Sequence, residues 1–267
     1  MEKQDKIFWH EAFYEAVDLE LHEYLKYLKF EQEHLLSKEA LRIDLLVIKK
    51  EKDIKIQKNI GQIFKGYNII EFKSEADSFS QWDYNKILGY AFLYSSFNRV
   101  PLSDMTVTIS LTMYPRAVVR YLEDELGFTV RYVGEGIYYI EGEIIPIQIL
   151  ESKRMTNENN IFIRNLRSDV NPEDVVATVD EYRKIKPLNE KAAYLNRFLK
   201  ANTKTFKEAE SMFTEDTREI IMEMVEEGGW LEERDKRKAK KMLLDGEPVE
   251  KVARWMDLPV EELMDLV

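Results

Sequence analysis

Two short branched runs constrain the fold more than anything else in the sequence. They are LRIDLLVIKK (Leu41 to Lys50) and NIIEFK (Asn68 to Lys73), and each sets charges among isoleucines and leucines. Runs of this length and composition read as strands. Side chains at i and i+2 of a strand share a face, so Glu71 and Lys73 point one way while Ile70 and Phe72 point the other. Asp44 sits equally deep in its own run. An ionised carboxylate in such surroundings is costly unless it is paired, hydrogen-bonded or bound to a metal.

The rest of the chain supplies the helices to cover such strands. From Ile7 to about Leu28 apolar residues recur at helical spacing, with Phe13, Val17, Leu21, Tyr24 and Leu28 on one stripe. SQWDYNKILGYAFLYSS (Ser80 to Ser96) is again helical, with Ser80 as its cap and Trp82, Ile87, Tyr90, Ala91 and Tyr94 as buried candidates. MTVTISL (Met105 to Leu111) is the next strand. A helix from Arg116 to Leu126 ends at Gly127, a natural left-handed cap, and FTVRYVGEGIYYIEGEIIPIQIL reads as short strands extending the sheet, with GEG as a hairpin turn. Asn157 to Asn160 reads as a loop, and NPED (Asn171 to Asp174) as a helix start capped by Asn171. Beyond Leu188 the strand signal disappears. The order implies an α/β domain over residues 1–187, followed by a helical C-terminal region over 188–267.

Composition narrows the chemistry. At 267 residues with 45% apolar content the chain can bury a substantial core. No apolar run approaches the ~20 residues of a membrane span, and MEKQDKIFWHEAF lacks the continuous apolar stretch of a signal peptide, so a cytoplasmic protein without membrane contact is expected. Zero cysteines remove disulfides, thiolate nucleophiles and sulfur-bound zinc, and only His10, His22 and His34 remain as imidazoles. A metal here would be held by oxygen, which favours Mg2+ or Mn2+. The net charge of −11 argues against passive coating of nucleic acid. Lys49, Lys50, Lys52, Lys55, Lys58 and Lys65 nevertheless crowd the interval before NIIEFK, either as a local basic surface or as an ordinary solvated loop.

Side by side, the two strands would place Asp44, Glu71 and Lys73 within one small volume. Two carboxylates and a lysine suit phosphodiester chemistry: the carboxylates bind a divalent ion and the lysine stabilises negative charge or positions a water. The bland alternative is an ion-pair network on a half-exposed antiparallel sheet. On the first helix, Glu20 falls inside the apolar arc at about 100° per residue, while Glu11 and Glu15 do not. It reads either as a third metal-binding carboxylate, or as a marginal glutamate or partner for a core lysine.

With RID, then IIEFK, then a helix carrying LGYAFLY, the chain resembles the PD-(D/E)xK nuclease superfamily. The nearest likeness is to its recombination-promoting nuclease and transposase-like (YhgA-like) branch, which the tail KKMLLDGEPVEKVARWMDLPVEEL also resembles. The core resemblance covers about residues 7–112 and the tail resemblance about the last 35. It implies a restriction-endonuclease-like fold, a central mixed sheet flanked by helices, and Mg2+-dependent cleavage of DNA with Asp44, Glu71 and Lys73 catalytic. Asp44, Glu71 and Glu20 would hold the metal, and Lys86 and Tyr90 would contact substrate. The sequence departs from the pattern in having no proline before Asp44 and Lys86 where a related branch has glutamine. A recombination role comes from the family alone.

The alternative is a catalytically silent nuclease-fold protein that binds DNA or another protein and regulates it. The tail from Met242 to Leu266 has helix-turn-helix spacing, but Glu261, Glu262 and Asp265 in its second helix would repel phosphates. Partner contact or homo-oligomer formation through this C-terminal region is the better expectation for it, with KRKAKK (Lys236 to Lys241) left as a phosphate contact. No phosphate-binding glycine loop and no serine-hydrolase elbow is present.

Overall fold

A computed structural model of the chain describes residues 3–31, 46–51, 54–188, 193–227, 239–256 and 263–264. The first helix, α1 (Lys3–Glu20), stops earlier than its apolar stripe suggests and passes through a 3-10 turn (His22–Tyr27) into β1 (Leu28–Glu31). Two more antiparallel strands follow, β2 (Leu46–Lys50) and β3 (Tyr67–Phe72). Helix α2 (Gln81–Asn98) then crosses over to β4 (Met105–Leu111), which pairs parallel to β3. After α3 (Arg116–Arg120) and a π turn come β5 (Thr129–Gly134), β6 (Ile137–Glu141) and β7 (Ile147–Glu151). They complete one mixed seven-stranded sheet of order β1-β2-β3-β4-β7-β6-β5. The architecture is therefore α/β, a mixed sheet with helices on both faces. Among the described residues no helix is long and apolar enough to cross a membrane.

The two faces carry two separate cores. Ile70 and Phe72 of β3 and Leu46 and Ile48 of β2 pack with Phe13 and Val17 of α1, and the Phe13 and Phe72 rings stack at 4.4 Å. Ile69 and Val47 point the other way, into a cluster with Tyr84, Ile87, Ala91 and Tyr94 of α2. Strand alternation thus assigns α1 and α2 to opposite sides of the sheet. The α1 face is completed by α4 (Asn157–Asn165), α5 (Pro172–Ile185), α6 (Ala193–Ala201), α7 (Thr203–Ala209) and α8 (Glu215–Glu227). Tyr194, Leu195, Phe198, Phe206 and Ile221 belong to the same core as α1, so packing runs without interruption across the Pro187 boundary expected from composition.

Several local expectations change. Trp82 is exposed rather than buried, because the inward stripe of α2 is Tyr84, Ile87, Ala91 and Tyr94. The stretch from Asn157 to Asn160 opens α4 rather than forming a loop; Asn160 is a kink within it, with φ −149 and ψ 50. The GEG turn holds Gly134, Glu135 and Gly136 all at positive φ, and a Cβ at Gly136 would lie 2.5 Å from the Glu151 carbonyl oxygen. In the tail, a helix spans Val249–Met256, and Ala239, Val252 and Leu263 form a small core of their own. The turn expected at residues 257–259 lies outside the described residues.

Asn68 ties the centre of the sheet together. Its amide nitrogen donates to the Ile48 and Lys65 carbonyls at 3.0 and 2.8 Å, and its oxygen accepts from the Lys65 N–H at 2.8 Å and the Thr106 hydroxyl at 2.6 Å. All four hydrogen-bonding positions of the amide are used in a fully buried site. Asn68→Ala leaves several of those groups unmatched and is expected to cost about 2–4 kcal/mol, read as a lower urea midpoint at unchanged slope.

Candidate active site at the carboxyl end of β3

Glu71 shares the face of Ile69, the α2 side, and Lys73 follows just beyond the strand. Its N–H donates to the Ser110 carbonyl at 3.0 Å, carrying the β3–β4 pairing one residue further. The chain then turns back at once. Asp77 accepts from the Ser74 N–H and hydroxyl at 3.1 and 2.8 Å, and Ser80 starts α2 through a reciprocal capping box with Asp83. The consequence is a short return from the strand end to the first turn of α2. It sets the Lys73 ammonium 3.2 Å from Glu71 Oε1 and 3.5 Å from Asp83 Oδ1. The cluster lies at the carboxyl ends of two parallel strands, the end at which open α/β sheets hold ligands.

The electrostatics of the cluster favour charge. Burial disfavours the Lys73 ammonium, but Glu71, Asp83 and Asp77 together outweigh it and hold its pKa above the ordinary lysine value. Lys73 is therefore cationic at neutral pH and cannot act as a base. For Asp83 burial pushes the pKa up, yet the Ser80 hydroxyl and N–H together with Lys73 prevail and bring it below the usual aspartate value. Asp83 was not anticipated as a neighbour of the lysine. The S-Q-W-D spacing, which is that of a capping box, was the available signal.

The other expected site residues fall elsewhere. Asp44 lies outside the described residues. Glu20 ends α1 on the opposite side of the sheet from Glu71, about 10 Å along the helix from Phe13 at 1.5 Å per residue. Its Oε1 accepts from the N–H groups of Phe162 and Ile163 at 2.8 and 3.3 Å, and its Oε2 meets Lys58 Nζ at 2.7 Å. The kink at Asn160 releases N–H groups in α4, and Glu20 caps the helix where it resumes. Glu20 is thus paired with the half-buried Lys58 and with two N–H groups of α4. Burial raises its pKa despite Lys58 and the two N–H donors.

Lys86 and Tyr90 meet each other on α2, with Lys86 Nζ 5.4 Å from the ring centroid; Lys86 is exposed and Tyr90 is half-buried against the α2-side core. Four of the lysines before β3 have partners within the chain: Lys49 with Glu31, Lys50 with the Ile54 carbonyl, Lys58 with Glu20 and Lys65 with the Ser103 carbonyl. Lys55 is exposed, and Lys52 lies outside the described residues.

Among the described residues no group of three His, Cys, Asp or Glu side chains gathers to hold a metal ion. Within the cluster Asp77 and Asp83 bond Ser74 and Ser80, and Glu71 pairs with Lys73.

Glu20 yields a test that separates a cap from a metal ligand. Glu20→Ala strands Lys58 and two N–H groups and is expected to cost about 3 kcal/mol, read by denaturant unfolding. Glu20→Gln keeps an acceptor oxygen and is expected to cost less. Because the folded pKa of Glu20 is raised, folding binds its proton more tightly, so this group's contribution to stability declines as pH rises above the ordinary carboxylate range. Glu20→Gln is expected to remove that slope above the ordinary carboxylate range.

Comparison of the chain with family models, with curated proteins and with solved structures gives no match, so the cluster is interpreted from its own residues.

Proposed function

We propose that the chain is a metal-dependent DNA endonuclease built on a restriction-endonuclease-like core, with Asp44, Glu71 and Lys73 as its catalytic residues. One observation carries the reading. Glu71 and Lys73 converge on one face at the carboxyl end of β3, directly before a helix that crosses to parallel β4. The order of helix, strands, helix and strand around IIEFK is the order on which the resemblance drawn from sequence rests.

Each residue has a defined task in this proposal. Lys73, fixed as a cation by Glu71 and Asp83, stabilises negative charge developing on the phosphoryl oxygens. Asp83 positions that ammonium and is itself held by Ser80. A magnesium or manganese ion held by Glu71 and Asp44 would supply Lewis acidity toward the phosphate and lower the pKa of the attacking water.

The β2–β3 register sets a condition on the pair. Leu46 pairs with Ile70, and both belong to the α1-face core with Phe72. A carboxylate two positions before Leu46 shares the face of Glu71 only if the strand alternation is broken between them, by a bulge or a strand end.

A second reading is supported by the same cluster. Lys73 is already ion-paired to Glu71 and Asp83, as in a structural network, which suits a silent nuclease-fold protein that binds DNA or protein. Supercoiled plasmid with Mg2+ or Mn2+ separates the two. Asp44→Ala, Glu71→Ala and Lys73→Ala are each expected to slow nicking at least ~100-fold, while Glu20→Gln nicks like the parent. Equal nicking by all forms, or failure of the parent to bind manganese in calorimetry, would favour the silent protein.

A further inference from the structure

The outward side of α2 is apolar and arranged symmetrically. Trp82, Leu93 and Phe97 are exposed large apolar residues, with Trp82 at 71% and Phe97 at 54% of full exposure. Lys86, Gly89 and the half-buried Tyr90 complete the stripe. At about 100° per residue these six share one arc of the helix, whose Tyr90 edge packs against the core of Tyr84, Ile87, Ala91 and Tyr94, while the exposed Phe92 lies outside it. The arc contains no carboxylate, although the chain carries a net charge of −11.

Its spacing is palindromic about the peptide between Gly89 and Tyr90. Trp82 and Phe97 are equidistant from that centre, as are Lys86 and Leu93. The centre itself faces the middle of the arc. A two-fold axis there would set two α2 helices antiparallel, matching Trp82 with Phe97, Lys86 with Leu93 and Gly89 with Tyr90 of the other copy. Self-complementarity of this kind is what an isologous interface requires.

Gly89 is the second observation. It sits in the middle of an 18-residue helix, and a Cβ built on it would meet nothing within 4 Å. Nothing among the described residues requires glycine there, and mid-helix glycine is unfavourable. A close-packed neighbour from outside does require it, because the missing Cβ leaves a seat for the opposing Tyr90 ring.

We propose that α2 is the face through which two copies of this chain form a two-fold dimer. The exposed apolar residues offer about 400 Å² per copy, near half of a standard interface, so the dimer is weak and concentration-dependent. This assigns Lys86 and Tyr90 to the partner contact instead of to substrate. The contact is independent of the nuclease reading and moves self-association from the tail to the sheet domain.

Sedimentation equilibrium of the full chain tests it, with a dissociation constant expected on the order of 10 μM. Gly89→Ala is expected to weaken association at least ~10-fold. At about 1 μM, where the chain is monomeric, it should raise Tm by about 2–4 °C. Charge at position 93 tests the register. Leu93→Lys brings like charges together and should abolish association, whereas Leu93→Glu meets the opposing Lys86 and should stay within about threefold of the parent. A monomer at all concentrations, an unchanged constant for Gly89→Ala, or equal loss with both charges overturns the proposal. So does a chain that stays monomeric while single-stranded oligonucleotide quenches Trp82 fluorescence, which would make the stripe a base-stacking surface.

Discussion

The alternation of β3 is the constraint on which the rest of the structure depends. With Ile70 and Phe72 committed to α1, residues Ile69, Glu71 and Lys73 have no choice but the α2 side. A one-residue slip would carry the Glu71–Lys73 pair under α1, where Phe13 and His10 pack against Phe72. The register is therefore held by burial on both faces at once, and by Asn68, which joins β3 to β2 and β4 through side-chain hydrogen bonds. The position of the candidate site follows from apolar packing that has nothing to do with its chemistry.

The same division explains why Glu71 and Glu20 are different kinds of carboxylate. Glu71 sits at a strand end beside a lysine and the first turn of a helix, paired with that lysine. Glu20 is enclosed between α1, α4 and the segment carrying Lys58, with its oxygens occupied by N–H donors and an ammonium. A buried carboxylate so fully matched is a fastening between elements. It joins the first helix to one more than 140 residues later, as the hydrogen bond from Phe162 shows.

The strands and α2 were legible because their signals are local. Branched runs, the S-Q-W-D cap and the glycine turn each fit within a few residues. β1 was missed because LKFE is four residues long and continues the helical stripe that precedes it. The orientation of Trp82 was misjudged because α2 is apolar on two sides, so hydrophobicity alone did not mark the inward one. The role of Glu20 could not be derived from its own helix. Its angular position was right for facing the core, but whether it would meet a metal or an N–H group depended on α4, far along the chain. Part of the cluster was readable because Glu71 and Lys73 are two residues apart, while Asp83 reaches them only after the chain turns back.

A face that is apolar without being buried calls for a different argument from a core. On α2 the inward stripe explains why the helix exists, and the outward stripe does not contribute to that explanation. Gly89 sharpens the point, since an alanine there would fit the monomer and favour the helix. Among the described residues the glycine has only a cost. It gains a purpose when a second backbone is brought close, and the symmetry of Trp82, Lys86, Leu93 and Phe97 about the Gly89–Tyr90 peptide is the symmetry that a second copy of the same helix supplies. Constraints of this kind are recorded in what the monomer leaves unexplained.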